Sequence, residues 1–145
     1  MTTDATHAGY RSPLESRNAS KEMRALWSEQ RKFSTWRRIW LALAESQKEL
    51  GLDIPDQGIS ELRAAVDRPI DLARAAEYER RFRHDVMAHV HLLGDDAPAA
   101  RGIIHLGATS AEITDNTDLI LHREALELVH ARIVRCVAAL ASFAR

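Results

Sequence analysis

An all-α fold is what this chain of 145 residues predicts, on three observations. Apolar residues recur at helical spacing, as in Trp36, Ile39, Trp40 and Leu43, which puts them on one face of a helix. No stretch shows the apolar–polar alternation of a half-buried strand. Glycines and prolines at Gly51, Pro55, Pro69, Gly94 and Pro98 fall at the ends of the periodic runs rather than inside them.

Taken in order, residues 1–19 carry Thr, Gly, Pro and Ser without a period and read as an extended arm. Ser20 is a candidate N-cap for a helix to about Lys32. A second helix from about Ser34 uses Trp36, Ile39, Trp40, Leu43 and Leu50 as its apolar stripe, with Gly51 in the position of a C′ glycine. Ile54-Pro55-Asp56 is a turn, and Ile59 to Val66 reads as a short helix ended before Pro69. A single long helix is expected from Asp71 to Gly94, with Leu72, Ala75, Ala76, Phe82, Val86, Met87, Val90 and Leu93 on its apolar face. Pro98 to Ser110 reads as a glycine-bearing loop. The last helix, from about Asp115 to Arg145, has Leu119, Leu126, Ile133 and Leu140 at heptad spacing. At 1.5 Å per residue it would reach roughly 45 Å, more than a domain of this size covers by itself. No cap closes it, so a truncated chain lacking its partner helices is expected. The division expected is an arm over 1–19, a helical domain over 20–110 and the start of a long bundle helix over 111–145.

Composition removes several classes of function. With 20 basic and 21 acidic side chains the formal charge is −1, which lacks the basic surplus of a nucleic-acid binder. The most apolar short run, Ile39 to Ala44, is far too short to span a bilayer, and Met1 to Ser12 has no apolar core of a secretory signal. The single cysteine, Cys136, can form no internal disulfide; it reads as a small core residue in a reducing, cytoplasmic protein.

Two segments carry chemistry. Arg83-His84-Asp85, opening a run to His91, sets a guanidinium, an imidazole and a carboxylate side by side. On one continuous helix, His84 and His91 would share a face and Asp85 would pair with His89 at i, i+4. Such residues are either solvated helix surface or an anion-binding face with an imidazole poised near neutrality. A metal site is not expected, since the run lacks His-Glu-x-x-His and a third ligand at a diagnostic offset. The second segment, Gly102 to Ser110, ends in the hydroxyls of Thr109 and Ser110, which either cap the next helix, donate to an anion, or do both. His105, between Ile104 and Leu106, reads as a hydrogen-bonded buried histidine. Trp36 and Trp40, four residues apart among cations, belong to a core stripe, and Arg80, Arg81 and Arg83 to a solvated face.

The order of these pieces resembles the adenylosuccinate lyases of the fumarase/aspartase superfamily. The resemblance rests on Tyr10 to Leu14, Ser16-Arg17, Thr35-Trp36-Arg37, Leu50-Gly51-Leu52, Arg83 to His91, His105 to Ser110 and Asp115 to Ile120. It implies the amino-terminal helical domain of that fold plus the first long helix of its central bundle. It also implies a cofactor-free β-elimination that releases fumarate from adenylosuccinate, leaving AMP, and from the succinyl-carboxamide ribotide of purine synthesis. By resemblance Arg17 and its neighbour Asn18 contact the nucleotide phosphate, and Arg83, His84 and Asp85 line the pocket. Thr109 and Ser110 hold the succinyl portion, His105 lies close by, and His84 positions substrate without being the principal acid. The family's general acid and base would lie beyond Arg145, and its sites are assembled in a homotetramer, so the chain alone is expected not to turn over substrate. Two departures stand out: Asn18 replaces the family's usual Tyr, and Ala111-Glu112-Ile113-Thr114 replaces a stretch with an aromatic and a glycine. Other readings are a sister lyase acting on argininosuccinate, or a helical module docking a partner on its last helix. No nucleic acid or membrane partner is expected.

Overall fold

The computed structural model describes residues 11–145, and Tyr10 with the rest of the arm's first ten residues lies outside them. Among the described residues there are six α-helices and no strand: α1 (Lys21–Leu26), α2 (Glu29–Glu49), α3 (Asp56–Ala65), α4 (Leu72–Phe82), α5 (Asp85–Asp96) and α6 (Ser110–Phe143). No described helix is long and apolar enough to cross a membrane.

Helix α2 is the hub. Its stripe of Trp36, Trp40 and Ala44 is fully buried against Ile59 and Leu62 of α3, Val86, Val90 and Leu93 of α5, and Ile113 of α6. Apolar burial of that kind, worth about 25 cal/mol per Å², is the main force holding these helices together. One charge is buried with them: Arg37 donates to the Ala65 carbonyl (2.9 Å) and to Asp96 Oδ2 (2.8 Å), joining α2 to the ends of α3 and α5. Its pairing keeps it charged, although burial pulls its pKa down. Gly51 follows α2 with φ +91°, the left-handed C′ conformation that glycine adopts without steric penalty.

Several boundaries differ from the sequence reading, each for a local reason. The first helix stops at Leu26, because Ser28 takes the N-cap of α2 and accepts the Arg31 N–H, while its hydroxyl donates to the Ala25 carbonyl. Within the arm expected to be extended, Leu14–Asn18 forms a single wide helical turn. The short third helix begins three residues early, at Asp56. The long helix expected over 71–94 is two helices, broken where Arg83 adopts φ +55° and His84 an extended conformation. Helix α6 starts at Ser110, not Asp115, because Thr109 and Glu112 form a capping box. Cys136, expected in a core, is exposed as a free thiol on the unpacked half of α6.

Candidate functional site

The break between α4 and α5 builds the site. Arg83 closes α4 in the left-handed region, its N–H donating to the Glu79 carbonyl at 2.7 Å. For a residue with a Cβ that conformation costs about 1–3 kcal/mol, and it tends to persist at functional sites. The chain turns so that His84 becomes the N-cap of α5: its Nδ1 accepts the Met87 N–H at 3.4 Å. An imidazole nitrogen that accepts carries no proton, so neutral His84 bears its hydrogen on Nε2. That Nε2 lies 3.3 Å from the Ser110 Oγ, at the first turn of α6. His84 therefore donates to Ser110, and the serine hydroxyl keeps its own hydrogen free for a further acceptor.

This one contact, across 26 residues of sequence, sets the amino-terminal ends of α5 and α6 side by side. Helix N-termini carry partial positive charge and unpaired N–H groups, so the junction favours an anion. Asp85 moderates it: its Oδ1 accepts the Val86 N–H at 2.7 Å and stands 3.6 Å from His84 Nδ1.

His105 borders the same junction. It is half-buried with φ +67°, and its Nδ1 accepts the indole N–H of Trp40 at 3.2 Å. Burial lowers its pKa; the nearby Glu112 carboxylate opposes that, and His84 is close enough to add to it. The turn around it is tied to α2 a second time, where Gln47 Nε2 donates to the Leu106 carbonyl at 2.7 Å. Gly107 completes the turn at φ +70°.

The remaining sequence candidates take different places. Thr109 serves as the N-cap, its Oγ1 accepting the Glu112 N–H while its own N–H donates to the Glu112 carboxylate. Arg83 points its exposed side chain toward a shallow hollow of about 410 Å³ with Ala76, Glu79 and Arg80 on α4. Arg17 and Asn18 are exposed on the wide turn before α1, and no hydrogen bond or ion pair among the described residues joins them to His84 or Ser110. The expected surface pairing of Asp85 with His89 is not found. His89 is buried, stacked on Phe33 with ring centroids 3.7 Å apart and edge-on to Trp36, and His91 instead stacks on Phe82 at 4.3 Å. Burial, reinforced by Arg37 and Lys32 and opposed by Asp85, lowers the pKa of His89 from 6.5 to about 4. Sequence reasoning missed what Trp40 and Gln47 do for the His105 turn. The signal available was the indole N–H of Trp40, which usually finds an acceptor when buried; the neighbouring Trp36 Nε1 is buried without one. Among the described residues no three His, Cys, Asp or Glu side chains are grouped closely enough to hold a metal ion.

Comparison with known proteins sets this geometry in context. No family model matches the chain. It is 50% identical over 137 residues to the adenylosuccinate lyase of Saccharomyces cerevisiae, covering 93% of this chain and 28% of that protein. To the adenylosuccinate lyase of Schistosoma mansoni it is 46% identical over 132 residues, covering 91% of this chain and 27% of that protein. Among solved structures, a fumarate lyase from Mesorhizobium sp. BNC1 superposes with a TM-score of 0.70 at 28% identity, over 79% of this chain and 27% of the other. The chain thus spans a little over a quarter of the length of the curated relatives it matches.

Proposed function

We propose, for a chain related in sequence over nine-tenths of its length to the adenylosuccinate lyases, that it forms one wall of a site that eliminates fumarate from a succinyl nucleotide. The substrates proposed are adenylosuccinate, leaving AMP, and the succinyl-carboxamide ribotide of purine synthesis. In such a reaction a base removes the proton beside a succinyl carboxylate and an acid protonates the departing nitrogen. The charge that builds on the carboxylate in between has to be held by fixed donors.

This chain's share is the donor side. The observation that carries the reading is the 3.3 Å contact of His84 Nε2 with Ser110 Oγ. It supports a relay in which the α5 backbone orients His84, His84 orients Ser110, and the serine hydroxyl meets a succinyl carboxylate at two helix N-termini. In this reading Thr109 and Ser110 hold the succinyl group, His105 and Asp85 border it, and Arg83, Arg17 and Asn18 serve the nucleotide end. The acid and base come from parts of the relatives that this chain does not cover, and the pocket is completed in a homotetramer through α6. No cofactor takes part. The setting proposed is cytoplasmic, which the exposed free thiol of Cys136 supports, since such a thiol persists in a reducing compartment.

Titrating the 15N-labelled chain with adenylosuccinate, and separately with argininosuccinate, tests this. Adenylosuccinate is expected to shift the amide signals of His84, Thr109 and Ser110, and argininosuccinate to leave them in place; the reverse selectivity, or shifts confined to other surfaces, overturns the assignment. Fumarate release by the 145-residue chain alone would overturn the claim that the acid and base come from elsewhere.

A further inference from the structure

We propose that Trp40 is a positioning residue for the site: its indole N–H holds His105 in the Nε2–H tautomer, so that His105 meets the substrate's anionic end as a hydrogen-bond donor and not as a base. The proposal rests on the reading above only for what the imidazole faces; the tautomer follows from the geometry alone.

Trp40 is 1% exposed and sits on the buried face of α2. An indole nitrogen can donate a hydrogen bond and cannot accept one. Its partner at 3.2 Å is His105 Nδ1, which must therefore be bare, and the ring's hydrogen is left on Nε2. The opposite tautomer would set N–H against N–H and leave a buried indole donor unsatisfied. The protonated ring would meet the same conflict, because both its nitrogens donate. So one bond from the core disfavours both states in which Nδ1 is protonated.

The backbone agrees with the side chain. His105 is held at φ +67°, a conformation that non-glycine residues adopt at a cost and that persists only when the surroundings impose it. Here α2 imposes it from two positions a heptad apart, with Trp40 on the ring and Gln47 on the next carbonyl. A turn needed only to connect α5 to α6 could use glycine at this position, as it does at Gly107. An imidazole stands there instead, close to His84 and Glu112, with its donor nitrogen fixed. Both histidines of the junction then share one design: Nδ1 anchored to the protein, by Met87 N–H in one case and by Trp40 in the other, and Nε2–H left to donate.

Long-range 1H–15N correlation of the 15N-labelled chain above pH 7.5 reads the tautomer directly. The Nε2–H to Nδ1–H ratio of His105 is expected to exceed that of a free imidazole by about fivefold to a hundredfold, the bias set by stranding a buried donor. In Trp40→Phe, which keeps an aromatic ring and removes the donor, the ratio is expected to fall toward that of a free imidazole while the circular dichroism stays helical. A dominant Nδ1–H form in the wild-type chain overturns the proposal whether or not the variant folds. So does an unchanged ratio in a folded Trp40→Phe. Adenylosuccinate separates this from the lyase reading: an Nε2–H tautomer whose signals ignore the ligand leaves the tautomer assignment standing and counts against the site.

Discussion

Helix α6 is two different objects along one axis. Over its first fifteen residues, Ile113, Thr117 and Leu121 are buried against α2 and α1, and Arg31 clasps Glu124 through both carboxylate oxygens at 2.6 and 2.8 Å. From residue 129 onward every position is exposed, with Ile133 at 56% and Leu140 at 62%, and Arg132–Glu22 at 3.2 Å is a tie back to the body. The exposed stretch is the more apolar of the two, and they do not use the same face. Leu119, Leu126, Ile133 and Leu140 lie nearly half a turn away from Ile113, Thr117 and Leu121, since each residue advances the helix by about 100°. The heptad stripe so evident in the sequence is therefore the face this chain leaves bare. Periodicity reports that a face exists; it does not report which molecule covers it.

The largest effect that would break this contrast is a matched pair of truncations. Ile113→Ala deletes a fully buried side chain and is expected to cost about 2–5 kcal/mol of unfolding free energy, whereas Leu126→Ala, at a site 68% exposed, should stay within about 0.5 kcal/mol. Urea unfolding followed by Trp fluorescence measures both. A Leu126→Ala penalty as large as that of Ile113→Ala would mean the stripe is covered in solution, by a second copy of the chain.

Acid sharpens the contrast next. His89 has a folded-state pKa of about 4 against an ordinary 6.5, so the unfolded chain takes up the proton first as pH falls. The stability involved is intact above pH 6.5 and is lost between 6.5 and 4, by up to about 3 kcal/mol at about 1.4 kcal/mol per pH unit. His105, also lowered by burial, acts in the same direction. His89→Phe should flatten the dependence of the urea midpoint on pH across that interval. If the slope is unchanged, the Phe33–His89 stack is not what protonation breaks.

How much of this was legible follows from which physics each feature uses. The burial of Trp36 and Trp40 and the turn at Gly51 depend on residues a few positions apart, and the sequence period exposes them. The break at Arg83–His84 does not, because Phe82, Val86 and Met87 keep the apolar rhythm running across it and no glycine or proline marks it. Tertiary packing of α5 overrides local preference there, and with it fell the expected pairing of Asp85 with His89. The residue types of the site could be read from the chain; the nearness of His84 to Ser110 could not, since only the fold spans those 26 residues. The stripe places Trp40 in the core and is silent on its chemistry, because it assigns a side chain to a face without saying where its one polar atom goes.

The smallest effect lies where the packed half of α6 begins. Thr109 carries two loads at once: its hydroxyl caps the helix by accepting the Glu112 N–H, and it neighbours the serine proposed to hold the succinyl group. Thr109→Ser keeps the capping oxygen and is expected to leave stability within about 0.5 kcal/mol, while Thr109→Ala should cost about 1 kcal/mol, the usual worth of an N-cap. Amide exchange is expected to speed up in the first turn, Ser110 to Ile113, and to stay unchanged beyond Leu126, where the helix end is already open to solvent. Faster exchange along the whole of α6 would show that the cap, and not the seam with α2, holds the packed half in place.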